Sequence, residues 1–198
     1  MSRFSLFALF TFALVSTCSP AAAQQAGLYP DALPDDVSFV RFVGFDGHDS
    51  ATFAGATFAL DAATAAQYIP VSAGALDAVA AGSYATVLRA SDGTTRVIPE
   101  APRSRRAKVA LLLVNGTDAA LTLRLIEGGA EVIGAVPPAT AALREVNPVA
   151  VTLGVFGADT PTALAQFDVA LKRGQNISFV ADGTGVRMIE NRFAPLAD

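Results

Sequence analysis

The sequence predicts an all-β protein: two small antiparallel β-sandwich domains in tandem, following a cleaved signal peptide. Apolar residues alternate with polar ones at a period of two in run after run, while sustained helical spacing is scarce. Turn-forming pairs such as Asp46-Gly47, Asp92-Gly93, Gly128-Gly129 and Asp182-Gly183 separate those runs. A charged stretch with two prolines, Pro99 to Arg106, divides the chain into halves of similar pattern.

In chain order, Arg3 precedes an apolar run from Phe4 to Val15, and small residues then lead to Ala21-Ala22-Ala23. That run is shorter than the roughly 20 residues a spanning helix needs, and its charged start and small-residue end predict a secretory signal peptide over residues 1–23. Cys18, the only cysteine, also suggests a lipid-modified variant of that signal, although Val15-Ser16-Thr17 does not place Gly, Ala or Ser directly before it. With cleavage after Ala23 the exported chain has no thiol, which excludes disulfides and thiolate chemistry.

Residues 24–37 are predicted to form an extended leader carrying Tyr29, Pro30 and Pro34. The first domain is expected over 38–98, opening on a strand in which Phe39, Arg41 and Val43 face one side and Val40 and Phe42 the other. Ala51 to Phe53 and Tyr84 to Leu88 continue it, and the alanine-rich 61–67 suggests a turn or two of helix. Residues 99–107 are predicted to be a linker, because Pro99 and Pro102 lack the donor that a central strand requires. The second domain, 108–198, repeats the pattern with Lys108 to Val114, Leu121 to Leu125 and Val149 to Val155, the last matched by its offset with Tyr84 to Leu88.

Composition narrows the chemistry. Fourteen Lys and Arg against 18 Asp and Glu give a formal charge of −4, more negative by one once Arg3 leaves with the signal peptide, which argues against nucleic acid as a partner. One histidine leaves little for a histidine-based metal centre or proton relay. No tryptophan and three tyrosines are thin material for stacking sugar rings. Asp46-Gly47-His48-Asp49-Ser50 sets an acid, a base and a hydroxyl side by side, but triad members normally converge from distant segments, so the stretch reads as a solvated turn. Asp35, Asp36 and the other carboxylates show no glycosidase or calcium-loop spacing. Neither a catalytic residue nor a cofactor or metal site is expected. Arg103, Arg105, Arg106 and Lys108 form a cationic cluster that suits a carboxylate-bearing polymer or an acidic partner surface, or is simply a solvated linker. The residues alone point to binding or assembly.

Three segments carry a resemblance. Leu28-Tyr29-Pro30-Asp31-Ala32-Leu33-Pro34, running on to Ser38-Phe39-Val40-Arg41, resembles the leader and Phe-Val-Arg strand of the AlgF family of periplasmic alginate O-acetylation proteins. Gly82-Ser83-Tyr84 is similar to that family's turn into a strand, and Arg144-Glu145-Val146-Asn147-Pro148-Val149 to its Arg-Glu-Ile-Asn-Pro-Val block. The resemblance implies a tandem β-sandwich of the periplasm that takes part in O-acetylation of an exopolysaccharide without being the transferase. Such a protein would bridge the membrane-bound O-acyltransferase machinery and the periplasmic polysaccharide O-acetyltransferases, with an anionic polysaccharide as a further partner. Tyr29, Arg41, Arg103, Arg105, Arg106 and Arg144 are the candidate contact residues, Arg41 and Arg144 being equally placed to pair with an acid inside their own sheets. The alternative is a secreted β-sandwich carbohydrate-binding or adhesion module.

Overall fold

A computed structural model describes residues 35–193 except 63 and 106. The signal peptide, Cys18, the leader with Tyr29 as far as Pro34, and Arg106 lie outside the described residues.

The described chain is almost wholly β. Strands β1 (Val37–Val43), β4 (Tyr68–Ser72), β5 (Tyr84–Arg89) and β6 (Thr95–Glu100) make sheet I in the order β4-β1-β5-β6, and β2 (Ser50–Phe53) with β3 (Ala56–Ala59) forms a separate hairpin. In the second half β7 (Val109–Asn115), β10 (Thr140–Val146), β13 (Asn176–Asp182) and β14 (Gly185–Glu190) make sheet II in the order β10-β7-β13-β14. Sheet III is β12-β11-β8-β9, from β8 (Leu121–Leu125), β9 (Glu131–Val136), β11 (Ala150–Gly157) and β12 (Ala163–Ala170).

Side-chain parity stacks these layers. Val40 and Phe42 of β1 pack with Ala51 and Phe58 of the hairpin, whereas Val43, on the other face, packs with Leu88, Ile98, Leu112, Val114 and Val180, joining sheet I to sheet II. The opposite face of β7, Val109, Leu111 and Leu113, packs with Leu121, Leu123, Leu153 and Val155 of sheet III. The order through the molecule is therefore hairpin, sheet I, sheet II, sheet III. Strand β7 is buried on both faces, as its unbroken apolar run Val109 to Val114 requires.

The two halves share a topology, and it departs from the sequence expectation in two details. Strand β1 pairs antiparallel with β4 but parallel with β5, and β7 pairs antiparallel with β10 but parallel with β13, so sheets I and II are mixed. The parallel neighbour identifies the equivalent strands: β5 corresponds to β13, not to β11. Hairpin β11–β12 is extra in the second half, and it displaces the offset that matches Tyr84–Leu88 with Val149–Val155. The described residues among 61–67 make turns in place of helix: the Thr64 and Ala65 amides both bond the Asp61 carbonyl, and Ala66 then takes φ 55°. Pro99 lies in β6, where it is tolerated because β6 is an edge strand of sheet I. Gly116 lets the seam close, since a Cβ there would collide with Leu88 Cδ2 and lie 2.8 Å from the Ala181 carbonyl oxygen.

Candidate functional site

The chemistry-bearing residues gather along the seam between sheets I and II. Residues of β1 facing sheet II are Phe39, Arg41 and Val43, and they mark three zones: an aromatic end, a polar centre and an apolar zone near the opposite end.

At the centre, Arg41 is 0% exposed. Its Nε and Nη2 donate to Thr86 Oγ1 at 3.0 and 2.8 Å. Nη1 donates to Ser178 Oγ at 2.9 Å and Asn191 Oδ1 at 2.5 Å, and Nη2 reaches Glu100 Oε1 at 3.1 Å. The Tyr68 and Thr86 hydroxyls both donate to the Glu100 carboxylate, and Asn191 Nδ2 donates to Ser178 Oγ and Asn176 Oδ1. Position follows from register. Tyr68 lies directly across from Arg41 on β4, with its ring centroid 4.6 Å from the guanidinium carbon, and Thr86 is the parallel partner on β5. Burial pushes the Tyr68 phenol well above its ordinary pKa, against the opposing pull of Arg41, so it stays a hydrogen-bond donor. A buried cation with its counter-ion and hydrogen bonds in place is a structural unit. Arg41 is thus a residue of the interior, with no surface left for a partner. None of Glu100, Tyr68, Thr86, Ser178 and Asn191 stands out in the sequence; the available signal is Arg41 itself, a cation in an apolar strand.

The aromatic end holds Phe39 stacked on Tyr84 at 4.5 Å, with Phe193 edge-on to Phe39 at 5.3 Å and tilted against Tyr68 at 5.9 Å. Tyr68, Tyr84, Arg103, Leu143 and Phe193 line a cavity of about 50 Å³ there. Arg103 ties the linker to the second half, its guanidinium donating to the carbonyls of Lys108 and Gly174, each at 2.8 Å. Glu145 accepts from the amides of Ser104 and Arg105 at 2.8 and 2.6 Å, and the backbone bond from Arg105 is the strongest of the influences holding its carboxyl below the usual range. The Arg105 side chain is 71% exposed and 3.9 Å from Glu145. Arg144 is exposed on β10, apart from the seam.

At the other end a groove of about 800 Å³ runs between the turns after β1 and strand β14, with Phe45, His48, Leu60, Phe167 and Met188 in its lining. The His48 ring sits edge-on to Phe45 at 5.9 Å, its amide bonds the Phe45 carbonyl, and Ser50 opens β2 opposite Ala59. Among the described residues no hydrogen bond joins His48 to Ser50 or to an aspartate, and no group of three or more His, Cys, Asp or Glu is placed to hold a metal.

An AlgF from Pseudomonas fluorescens, named an alginate biosynthesis protein, is 28% identical over 183 residues, covering 83% of this chain and 81% of that one. One from Azotobacter vinelandii is 26% identical over 181 residues, covering 82% and 80%. The solved C-terminal domain of AlgF from P. aeruginosa is 26% identical, covers 42% of this chain and 94% of its own, and superposes with a TM-score of 0.37. The family model described as Alginate O-acetyl transferase AlgF matches residues 11–178, most of the chain, and this protein belongs to the AlgF family.

Proposed function

We propose that this chain is an exported, periplasmic accessory protein of alginate O-acetylation that holds the membrane acetyl-donor machinery and the periplasmic acetyltransferases together, and does not itself transfer the acetyl group. Family membership supports the pathway. The observation that carries the non-catalytic part is the placement of the one histidine: His48 is turned onto Phe45 and closes a backbone turn, while Ser50 is committed to a hairpin strand. A serine nucleophile needs its base within hydrogen-bond reach and that base oriented by a third group. The layered core, with its centre locked by Arg41 and Glu100, suits a rigid body that presents surfaces.

Deletion of the gene followed by complementation tests this reading. Cells lacking the protein are expected to export polymer without O-acetyl groups, and the wild type, His48→Ala and Ser50→Ala are each expected to restore acetylation, measured by proton NMR of the purified polymer. Loss of acetylation in both variants, with ester hydrolysis by the purified wild type, would make the protein an enzyme and overturn the proposal.

A further inference from the structure

The pole of the molecule beside the aromatic end of the seam carries an unusual charge for an acidic protein. Strands β7 and β13 run parallel, so their starts lie together, and β10 and β14, antiparallel to them, end at the same place. Three segments remote in sequence are thereby joined: the linker before β7, the β12–β13 loop and the chain after β14. Arg103 donates to the Gly174 carbonyl, the Lys108 ammonium reaches Asn147 Oδ1, and the Ala110 amide bonds the Gln175 carbonyl at 2.9 Å. The Tyr68 amide bonds the Arg192 carbonyl at 3.0 Å, which holds the exit segment against sheet I.

The cations collected this way are Arg103, Arg105, Lys108, Lys172, Arg173 and Arg192. Glu145, occupied by the linker amides, and Glu190, which is 3.7 Å from Arg192 and accepts from Gln175, contact these segments, and Asp35 and Asp36 stand exposed before β1, Asp36 accepting from the Ser72 hydroxyl. Lys172 and Arg173 are exposed, with no ion pair among the described residues. At the same pole Phe193 is 52% exposed, though it is fixed by a β-bridge to Tyr68 and by ring contacts with Phe39 and Tyr68. The far end of the seam carries both signs: Arg187 pairs with Asp46 and Asp182, and Arg96 with Asp118, while Asp49 and Asp92 lie exposed on its loops.

We propose that this basic pole, with the exposed ring of Phe193 and the cations Arg105, Lys172, Arg173 and Arg192, is the surface on which the chain docks an acidic partner protein. The inference rests on the accessory reading above and names the surface and its chemistry. A half-exposed aromatic held in place by its own ring contacts, at a pole that carries several arginines, has the composition of an interface anchor, and complementary charge steers such encounters and sets their specificity. A protein surface fits better than an enclosed sugar site: the cavity here, about 50 Å³, is far below the roughly 300 Å³ at which small-molecule pockets begin, and the cations are exposed outside it.

Biolayer interferometry on the exported chain, with purified periplasmic acetyltransferases of the same pathway and short uronate oligomers as separate probes, tests the assignment. The wild type is expected to bind at least one acetyltransferase, more weakly as NaCl rises from about 0.05 to about 0.5 M. Lys172→Glu/Arg173→Glu and Phe193→Ala are each expected to weaken that binding about tenfold or more, and Asp46→Asn/Asp49→Asn at the opposite end to leave it unchanged. Circular dichroism melts matching the wild type establish that the loop variants are folded. Wild-type binding that neither variant weakens overturns the surface and leaves the accessory reading standing. Binding of uronate oligomers that the same variants abolish overturns the protein assignment in favour of polymer. Failure of the wild type to bind any acetyltransferase overturns both the surface and the accessory reading.

Discussion

Sheets I and II repeat one strand order, yet the two seams that sheet II makes are different in kind. Against sheet III it presents Leu111, Leu113, Ile177 and Phe179 to Leu123, Leu153 and Val155, an apolar layer with buried Asn115 at one end donating to the Val136 carbonyl. Against sheet I it presents Leu112, Val114 and Val180 at one end and Ser178 in the middle, where Arg41 and Glu100 are enclosed. The outer coverings differ as well: hairpin β11–β12 enlarges the cover of the second half to four strands, while sheet I has the two-stranded hairpin β2–β3. An apolar seam draws its stability from area removed from water and tolerates several packings. A seam with a buried ion pair requires every donor to meet its acceptor, so one alignment of sheets I and II satisfies it.

The largest expected effect breaks the polar seam. Arg41→Met leaves the Glu100 carboxylate buried without its cation and is expected to cost about 3–5 kcal/mol in urea unfolding. Adding Glu100→Gln removes the stranded charge and should recover part of that loss; a double variant no more stable than the single one would show that the charge pairing is not what the seam depends on.

Next comes the contrast between coverings. Phe179→Ala, in the seam covered by four strands, is expected to cost about 3–5 kcal/mol, and Phe58→Ala, under the two-stranded hairpin, roughly 1 kcal/mol less, because the smaller cover relaxes into the space left. Equal losses would erase the distinction. Gly116→Ala probes the closeness of sheets I and II. Its methyl meets Leu88 and the Ala181 carbonyl, and a loss of about 1–3 kcal/mol is expected; combined with Leu88→Ala, the total loss should be smaller than the sum of the two single losses, because the clash with Leu88 is gone.

The smallest effect is a pH dependence at the far end of the seam. Asp182 loses solvation on folding, which raises its pKa, but hydrogen bonds from Thr184 and the ion pair with Arg187 outweigh that and hold it below its ordinary value. A depressed carboxyl contributes stability above its unfolded pKa, and that contribution disappears as pH falls through the folded one. Melting temperatures between about pH 5 and about pH 2 should therefore decline less steeply in Asp182→Asn than in the wild type.

Much of the fold was legible because the β pleat writes itself locally as alternation. Phe39 to Val43, Leu121 to Leu125 and Ile177 to Phe179 all fall in strands, and Asp182-Gly183 is the hairpin turn its residue types suggest. The equivalence of β5 with β13 was hidden, since an inserted hairpin looks like any other pair of strands until hydrogen-bonded neighbours are known. At the candidate site, Arg41, Arg103 and Arg105 were visible as cations, but their fates were not: one is interior, one ties segments together, one is exposed.

What the sequence by itself determined is the class of structure, the period of its strands, its acidic balance and the thin supply of catalytic groups, all properties of composition or of near neighbours. The tertiary structure alone decided which residues face each other across the seam. Thr86, Glu100, Ser178 and Asn191 stand 45, 59, 137 and 150 residues from Arg41, and each is polar at a strand or edge position where a solvent-facing side chain would look the same. Only when parallel pairing brings β1 beside β5, and the stacking of sheets brings β13 and the end of β14 over them, do these groups surround one guanidinium and take the place of water.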